Sequence, residues 1–465
     1  MMRRALLLPT LSLLLLAGGC ASVPPDGGLA SVRDTVVERG GASFDRAASS
    51  EEAVRDLLAS ELDADAAVAL AFANNPRMRL LMADLDLARS ELLEASTIPN
   101  PMLELEWRGS GGSYRLMEVT LAQSILELLT LPRRRGAGRF AFEAATQRVA
   151  RDVLGFAAEV RDDYYGLLAS TQRLSFSRTA TEAAQVAAEL AIRQHMAGNI
   201  TDLSLERRQA AYERAKLMLA RDEEDVLVRR EALIRDLGLR DGSIDWRIAN
   251  EFPPLPESEP HVADLEASLA ERRLDMIVAA RELDALRRSL PASWLEEIGE
   301  VVVDYHRERE PDGEKTAGPG IELPIPIFNR GTAARTRAAA LLARASGELD
   351  LLTVTAASEV RIARQRLLAA RARVEYYRDV IVPRQARIVD LTMLEHNSML
   401  LGTYDLLQAR MEETTVRREY ADAQRDYWSA RNDLDRALNG VAGGGVLSAP
   451  GNGGASRLTM GEGEH

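Results

Sequence analysis

Hydrophobic and polar residues alternate along this chain with two periods, one typical of helices and one typical of strands. Segments with these two periods follow one another in the same order in both halves of the chain. From residue 63 to about residue 96, apolar residues fall at helical spacing, which predicts a helix that Pro76 kinks or restarts. Apolar and charged residues then alternate strictly over residues 102–108. A glycine-rich turn leads into a second stretch of the same alternation. The pattern predicts a β-hairpin over residues 101–124, with one apolar and one charged face.

Long helical stretches with few breakers follow each predicted hairpin. Continuous helix over residues 132–195 would extend about 95 Å, so we expect a turn near residues 166–173 that folds it into an antiparallel pair. Gly198 is expected to break the helix, which then resumes to residue 237. In the second half we expect a turn near Tyr376 and another helix break at Gly402.

The two halves share one sequence pattern at a separation of about 200 residues, too long a period for a solenoid. Residues 75–90 resemble residues 273–288, and each copy precedes two short alternating stretches and a long helical stretch. The second hairpin is expected over residues 297–328, where two prolines favour a strand end. The chain therefore divides into a first structural repeat over 51–240, a linker over 241–260 and a second structural repeat over 261–440.

The N-terminal residues predict a secretory signal peptide over residues 1–19, with a basic start, a short apolar run and small residues before the single cysteine. Ending at Cys20, the signal resembles that of bacterial lipoproteins, in which this cysteine carries the lipid. An ordinary signal peptide followed by a chance cysteine is the alternative. We expect residues 20–50 to be a lipid-anchored linker and residues 441–465 to be a disordered tail.

Composition narrows the class of protein. Alanine, leucine, arginine and glutamate dominate, aromatic residues make up 5% and charged residues 28%, which is typical of long helices. The net charge of −13 gives nucleic-acid binding no electrostatic support. His195 and His396 have no second metal ligand three or four residues away. We find no catalytic motif and therefore predict neither an enzyme nor a cofactor or metal site.

Four short strands, each with an apolar and a charged face, suit the wall of a membrane β-barrel; surface hairpins packed on helices are the soluble alternative. About eight strands are needed to close a barrel, and lipid does not tolerate open sheet edges. If the strands span a membrane, several chains must pool them. Glu104, Glu106 and Arg108 would then line the barrel lumen. The alanine-rich helices fit either the wall of a hollow helical tube or a coiled-coil stalk.

Six motifs occur in order: Ala69-Leu70-Ala71 with Asn74-Asn75-Pro76; Ala88-Arg89-Ser90-Glu91-Leu92; Pro99-Asn100-Pro101; Glu159-Val160-Arg161 with Tyr164-Tyr165-Gly166-Leu167-Leu168-Ala169; Leu323-Pro324-Ile325-Pro326-Ile327-Phe328 with Gly331; and Gly402-Thr403-Tyr404-Asp405-Leu406-Leu407-Gln408-Ala409-Arg410. Together, over about residues 60–440, they resemble the TolC family of outer-membrane efflux channels. The resemblance implies a mainly α fold with a small transmembrane β part, in which duplicated long helical hairpins form an α-barrel. It also implies a homotrimer, with four strands per chain in a twelve-stranded barrel.

The same resemblance implies a lipid-anchored protein of the outer membrane that extends into the periplasm. It would passively conduct metal ions or drugs from an inner-membrane pump and a periplasmic adaptor to the cell exterior, without binding nucleic acid. A lipid-anchored periplasmic adaptor or scaffold with coiled-coil hairpins and no pore is the alternative function.

The resemblance further places the periplasmic end of the tunnel near residues 166–173 and 373–390, and an equatorial break at Gly402. Asp379 and Asp390 become candidates for a constriction, with solvated helix charges as the alternative. Plain packing is the alternative for the candidate latch groups between hairpins, which are Gln172, Arg173, Tyr376 and Tyr377.

Overall fold

The computed structural model describes residues 24–44, 54–55, 58–110, 113–239, 246–259, 269–309, 314–328 and 330–441. The predicted signal peptide, Cys20 and the predicted C-terminal tail beyond residue 441 lie outside the described residues. No described helix is both long enough and apolar enough to cross a membrane.

In the part of the chain that the structure describes, the first half runs from shorter helices through a strand pair to two long helices. Its elements are α1 (Leu29–Glu38), α2 (Ala64–Asn74), α3 (Pro76–Ser96), β1 (Met102–Ser110), β2 (Ser113–Ser124), α4 (Ile125–Met196) and α5 (Asp202–Leu237).

The second half repeats the order of helix, strand pair and long helices. Its elements are α6 (Leu269–Arg272), α7 (Leu274–Ile298), β3 (Val302–Arg309), β4 (Lys315–Glu322), α8 (Thr332–Tyr376), a π-helix (Tyr377–Ile381), α9 (Val382–Asn397) and α10 (Thr403–Asn439).

The long helices form two helical hairpins. Helices α4 and α5 pack against each other and make hairpin 1, which reverses direction over residues 197–201. The chain of α8, the π-helix and α9 packs against α10 and makes hairpin 2, which reverses over residues 398–402. Helix α10 also packs against α4, so the hairpins lie side by side. We call the two reversals the hairpin ends.

The predicted turn near residues 166–173 is wrong, because α4 continues unbroken for 72 residues. The physical reason lies at Gly166, where an added Cβ would stand 2.5 Å from Nη1 of Arg229 on α5. This glycine leaves room for the Arg229 side chain of α5 against α4 and does not end the helix. Gly166 and its neighbours up to residue 173 therefore lie far from the end of hairpin 1.

The predicted turn near Tyr376 is also wrong. The chain passes there from α8 through the π-helix into α9 without changing direction, and it reverses only at residues 398–402. Gly402 thus belongs to a hairpin end and not to an equatorial break. Helix α7 passes through Pro291 to Ile298 and loses one backbone hydrogen bond there.

Local sequence signals account for most of the observed helix starts. Asp63 caps α2, because its Oδ1 accepts a hydrogen bond from the Ala66 amide at 2.7 Å. Asn75 caps α3 in the same way, and Pro76 occupies the first turn, where its missing N–H costs nothing. Pro76 therefore starts a new helix, as predicted.

Two clusters of buried apolar side chains hold the helices together. The first joins α1, α2, α3 and the middle of α4, and includes Phe72, Phe156 and Tyr164. The second lies between α8 and α10 around Leu367 and Tyr427. Burial in α8 ends at Val374, just before the π-helix. Neither cluster includes buried residues of α4 beyond Ala169 or of α10 before Ala423, so the parts of both hairpins near the hairpin ends lie outside the two clusters.

Candidate functional site

The four strands form one antiparallel sheet in the order β1-β2-β3-β4. The two predicted hairpins therefore join edge to edge, through pairing of β2 with β3. Strand β4 ends at Glu322, before Pro324 and Pro326, because proline cannot donate to a ladder. The prediction that the second hairpin extends to residue 328 is wrong for this reason. Strands β1 and β4 are the two edges, and the outer side of each pairs with no other strand of the described residues.

One face of the sheet is apolar and exposed. The cross-strand row Leu103, Leu121 and Tyr305 lies on it, with Ile321 in the row beside it. The exposed fractions of Leu121, Tyr305 and Ile321 are 49%, 55% and 64%. Side chains along β3 alternate strictly between half-buried and exposed, and Val303 and Tyr305 are on the exposed side. No described helix covers this face.

The opposite face is acidic. Glu106, Glu118 and Glu308 are direct cross-strand neighbours in one row, and Glu104 lies in the adjacent row. Like charges facing each other destabilise a sheet unless water or cations separate them. The structure thus brings the lumen candidates Glu104 and Glu106 to one face. The side chain of Arg108 lies outside the described residues, and its backbone pairs with residue 115 beyond a β-bulge.

An unpaired apolar segment follows β4. Leu323, Ile325, Ile327 and Phe328 are all exposed, and the side chain of Phe328 is 99% exposed. The segment continues the open edge of the sheet without entering a ladder. An apolar edge of this kind is the surface through which a sheet joins another copy or enters a membrane.

The two hairpin ends have equivalent geometry but different residues. The Asp202 carboxylate accepts a hydrogen bond from His195 Nε2 across the turn at 2.6 Å, and the Leu401 carbonyl accepts one from His396 Nδ1 at 3.1 Å. Three residues after each histidine the backbone is left-handed, with φ of 74° at Gly198 and 61° at Met399. Gly402, by contrast, is an N-cap with φ −80°, a value open to any residue.

The two candidate helix-break glycines, Gly198 and Gly402, therefore both lie in the turns at the hairpin ends, but they occupy different positions in those turns. Gly198 supplies the left-handed residue of its turn, whereas Gly402 stands where hairpin 1 has the N-cap Thr201. The true counterpart of Gly198 is Met399, the one non-glycine residue with positive φ in the described part of the chain. Sequence comparison paired the two glycines and so missed Met399.

Met399→Gly is expected to stabilise the protein by about 1 kcal/mol, because glycine carries no penalty for a left-handed backbone. Urea unfolding of the purified protein measures the change. The matched control is Gly198→Ala, which should destabilise hairpin 1 by a similar amount. Stabilisation by both substitutions would contradict the assigned roles.

Ion pairs tie the two hairpins together about halfway along their length. Arg418 on α10 makes a bidentate pair with buried Asp222 on α5, at 2.5 and 3.2 Å, and also contacts Ser177 on α4. Arg173 on α4 bridges Asp225 on α5 and Asp422 on α10. Nothing in the sequence marks these partners, since they lie far apart along the chain. We call this group, with Arg418 and Asp222 at its centre, the ion anchor.

The four latch candidates are not assembled into one contact. Arg173 joins the hairpins through the ion anchor, and the Tyr377 hydroxyl donates to Glu419 on α10 at 3.1 Å. Gln172 instead donates to the Asn250 carbonyl at 2.8 Å, and Tyr376 is exposed. Residue 173 lies about 35 Å along α4 from the hairpin end.

The two constriction candidates differ in setting. Asp379 belongs to the π-helix and pairs with Arg378 at 2.8 Å, and the hydrogen bond from Arg378 lowers the pKa of this carboxyl. Asp390 is exposed on α9, about 10 Å along the helix from the hairpin end. Of the two, only Asp390 lies near the end of hairpin 2.

Asp163 on α4 and Asp236 on α5 form a carboxyl pair. Burial, followed by the hydrogen bond and charge of Asp236, raises the pKa of Asp163 to about 6. A raised carboxyl pKa means that the folded state binds the proton more tightly than the unfolded state does. This contribution to stability is therefore complete below the ordinary pKa of 3.8 and is lost as the pH rises through about 6.

Asp163→Asn is accordingly expected to raise the melting temperature at pH 7.5 and to change it little at pH 4. Thermal unfolding across this pH range measures the difference. Asp350→Asn, at an exposed carboxylate on α8, is the control and should show no pH-dependent gain. An equal shift of the melting temperature at both pH values would refute the raised pKa of Asp163 as the cause.

Comparisons with known proteins point to the same family that the motifs resemble. Residues 50–239 match the family model described as outer membrane efflux protein. The chain is 20% identical over 393 residues to the cobalt-zinc-cadmium resistance protein CzcC of Cupriavidus metallidurans, covering 82% of this chain and 90% of that protein.

Solved structures share the fold. The Campylobacter jejuni CmeC outer membrane channel matches with a TM-score of 0.68 and 14% identity, over 87% of this chain and 91% of that one. The outer membrane protein VceC of Vibrio cholerae matches with a TM-score of 0.64 and 16% identity, over 84% and 96%. These matches confirm the mainly helical fold with a small antiparallel sheet.

Proposed function

We propose that this chain, a member of the outer membrane efflux protein family, is the outer-membrane channel of a tripartite efflux system. It passively conducts substrates from an inner-membrane pump and a periplasmic adaptor to the cell exterior. The observation that carries the proposal is the four-stranded sheet, with its exposed apolar face, its acidic opposite face and its two open edges.

The open edges favour a homotrimer. Lipid leaves no partner for unpaired backbone groups, so β1 of one copy must pair with β4 of the next. Three copies supply twelve strands, enough to close a barrel around a lumen. The strands are 8 to 12 residues long, comparable to the nine to eleven that a tilted strand needs to cross a bilayer.

The helical hairpins support a tunnel on the periplasmic side. Helix α4 alone has 72 residues and extends about 108 Å. Its alanines allow close contact between helices while leaving little bulk to fill a solid core. The two hairpin ends are then the natural contact with a periplasmic adaptor and pump. Asp390 of each copy would contribute to a constriction near this end.

The position of the N-terminal residues supports a lipid anchor at Cys20. Gly27 packs against Arg89 on α3, seven residues before the end of that helix near the sheet. The four residues from Pro24 back to Cys20 span at most about 14 Å. A lipid on Cys20 would therefore reach the membrane surface beside the sheet.

Cargo follows from the acidic face of the sheet and from similarity to a cobalt-zinc-cadmium resistance protein. A lumen row of Glu106, Glu118 and Glu308, repeated three times, favours cations. We therefore propose metal ions as the first substrate class to test, with cationic drugs as the alternative.

Replacing these three glutamates with glutamine is expected to shift the ratio of cation to anion permeability toward unity. Reversal potentials of single channels in a salt gradient measure this ratio. The control keeps the charge by replacing the same residues with aspartate, and it should keep the cation preference. An unchanged ratio in the glutamine variant would place the acidic face outside the conduction path.

The function itself is tested by planar-bilayer recording with the purified full-length protein. Discrete single-channel steps are expected from the trimer. A stable protein that never conducts would favour the alternative function, a lipid-anchored scaffold. Deleting the gene should in parallel increase sensitivity to divalent metal ions.

A further inference from the structure

Strand β4 has two glycines on the acidic side of the sheet. Gly318 pairs with His306 of β3, and Gly320 pairs with Asp304 of the same strand. Glycine inside a strand weakens it, and it often marks a point where a ligand or another group comes close to the backbone. The side chains of His306 and Asp304 are the groups that come close here.

Both of these side chains lean over β4. A Cβ added to Gly320 would stand 2.6 Å from Asp304 Oδ2, closer than real atoms approach. A Cβ added to Gly318 would stand 3.9 Å from Cε1 of the His306 ring, an ordinary contact. The carboxylate and the imidazole therefore lie together above the glycines, toward the open edge of the sheet.

The distance between the two groups suits a metal ion. His306 Nδ1 lies 3.5 Å from Asp304 Oδ2, which is longer than a hydrogen bond between such groups. Two ligands of a tetrahedral Zn²⁺, each about 2.0–2.1 Å from the ion, lie about 3.4 Å apart. Residues two apart on a strand share one face, so Asp304 and His306 can bind one ion together.

One chain supplies only part of such a site. Among the described residues, no three His, Cys, Asp or Glu side chains gather closely enough to hold a metal ion. A zinc site with an open position still needs three protein ligands. The third ligand must therefore come from outside the chain.

The proposed trimer brings that ligand to the edge. Its barrel pairs β4 of one copy with β1 of the next, and paired strands lie about 4.8 Å apart. Strand β1 carries Glu104 and Glu106 on the acidic face. Beside the glycines of β4, no side chain stands between such a glutamate and the leaning Asp304 carboxylate.

From these observations we propose that His306 and Asp304 of one copy bind a divalent transition-metal ion together with Glu104 or Glu106 of the partner subunit. A trimer then holds three such ions, one at each seam between copies. Imidazole and carboxylate ligands together favour ions such as Zn²⁺ and Co²⁺ over alkali metal ions. The proposal rests on the proposed function and deepens it, because it names the ions that the lumen holds in transit.

Co²⁺ is the probe, because its visible absorption reports four-coordinate binding. Titration of the purified, untagged trimer should give three bound Co²⁺ per trimer. His306→Ala should weaken binding at least about 100-fold, since even partners of a ligand are worth about 10–100-fold. The control is His195→Ala, which removes the histidine of another His–Asp pair, at a hairpin end, and should change nothing. Equal affinities of the two variants would overturn the site.

Two glycine variants test the geometry of the site. Gly320→Ala places a methyl group where the Asp304 carboxylate lies, so Co²⁺ affinity should fall about tenfold or more. Gly318→Ala adds the same methyl group two residues away, at ordinary contact distance from His306, and affinity should stay the same. The same loss in both variants, or in neither, would contradict the leaning carboxylate.

A pair of double variants tests the seam. Glu104→Gln combined with Glu106→Gln should abolish the four-coordinate Co²⁺ spectrum while native mass spectrometry still shows trimers. Glu91→Gln combined with Glu94→Gln removes the same charge from exposed positions of α3 and should keep the spectrum. Full Co²⁺ binding by the β1 variant, or by a monomer, would place the site within one chain and overturn the seam.

These spectra are measured without current, so they separate this proposal from the proposed function. A trimer that binds three Co²⁺ ions through His306 but never conducts keeps the site and overturns the channel. A conducting trimer whose Co²⁺ binding does not depend on His306 keeps the channel and overturns the site.

Discussion

Leu121→Lys is expected to prevent accumulation of trimers in the outer membrane. Leu121 lies on β2, inside the sheet and on its apolar face, between Leu103 and Tyr305. A lysine there would face lipid in each copy. The cost is about 2–4 kcal/mol per copy where the row lies near the bilayer centre, and a trimer incurs it three times.

The matched control for this change is Thr120→Lys, one residue away on the same strand. Residue 120 points to the acidic face, beside Glu104. A lysine there enters a polar lumen and gains a carboxylate neighbour, so assembly should be normal. Quantifying unboiled trimers in outer-membrane fractions compares the two variants. Normal trimer from Leu121→Lys would mean that the apolar face does not meet lipid.

Arg418→Met is expected to lower the free energy of unfolding by about 3–5 kcal/mol, because it leaves the carboxylate of Asp222 buried without its partner. The side chains of Arg418 and Asp222 are only 20% and 10% exposed, so water cannot replace the lost pair. Urea unfolding of the purified protein measures the loss.

Two further variants test the reason for that loss. Arg410→Met removes an arginine from the same helix whose side chain is 50% exposed, and it should cost less than about 1 kcal/mol. Combining Arg418→Met with Asp222→Leu removes both charges and should recover most of the stability. If the double variant is as unstable as Arg418→Met alone, the unpaired carboxylate is not the cause.

The strands and the helix starts could be predicted from the sequence, because local patterns determine them. Strict alternation at Leu103 and Leu105 corresponds to a real strand face, and Asp63 and Pro76 mark real helix starts. Each of these signals acts within a few residues. The pairing of β2 with β3 joins the two repeats, so it follows from the duplication and not from a local pattern.

The hairpin ends could not be placed correctly, because glycine has more than one use. Gly166 was interpreted as a turn signal, whereas it lies inside α4 and leaves room for the Arg229 side chain of α5. The true end of hairpin 2 uses Met399 in a conformation that normally favours glycine, so the sequence carries no warning of it. Because of the error at Gly166, the expected end of the tunnel lay about 35 Å along α4 from the observed hairpin end.

The contacts between hairpins were equally hidden. Arg418 and Asp222 are ordinary charged residues of helical stretches, and only packing reveals that they are buried together. Arg173 was selected as a latch residue by resemblance, and it does join the hairpins, but through Asp422 at mid-length. Long-range pairing of this type requires knowledge of helix register, which a single sequence does not contain.

The central claim is that one chain holds a third of a closed barrel and completes it with two further copies. Native mass spectrometry of the complex extracted from the outer membrane tests this claim most directly. We predict a single species with three times the mass of one mature, lipid-bearing chain. A stable monomer in the same membrane fraction, with both sheet edges unpaired, would contradict it.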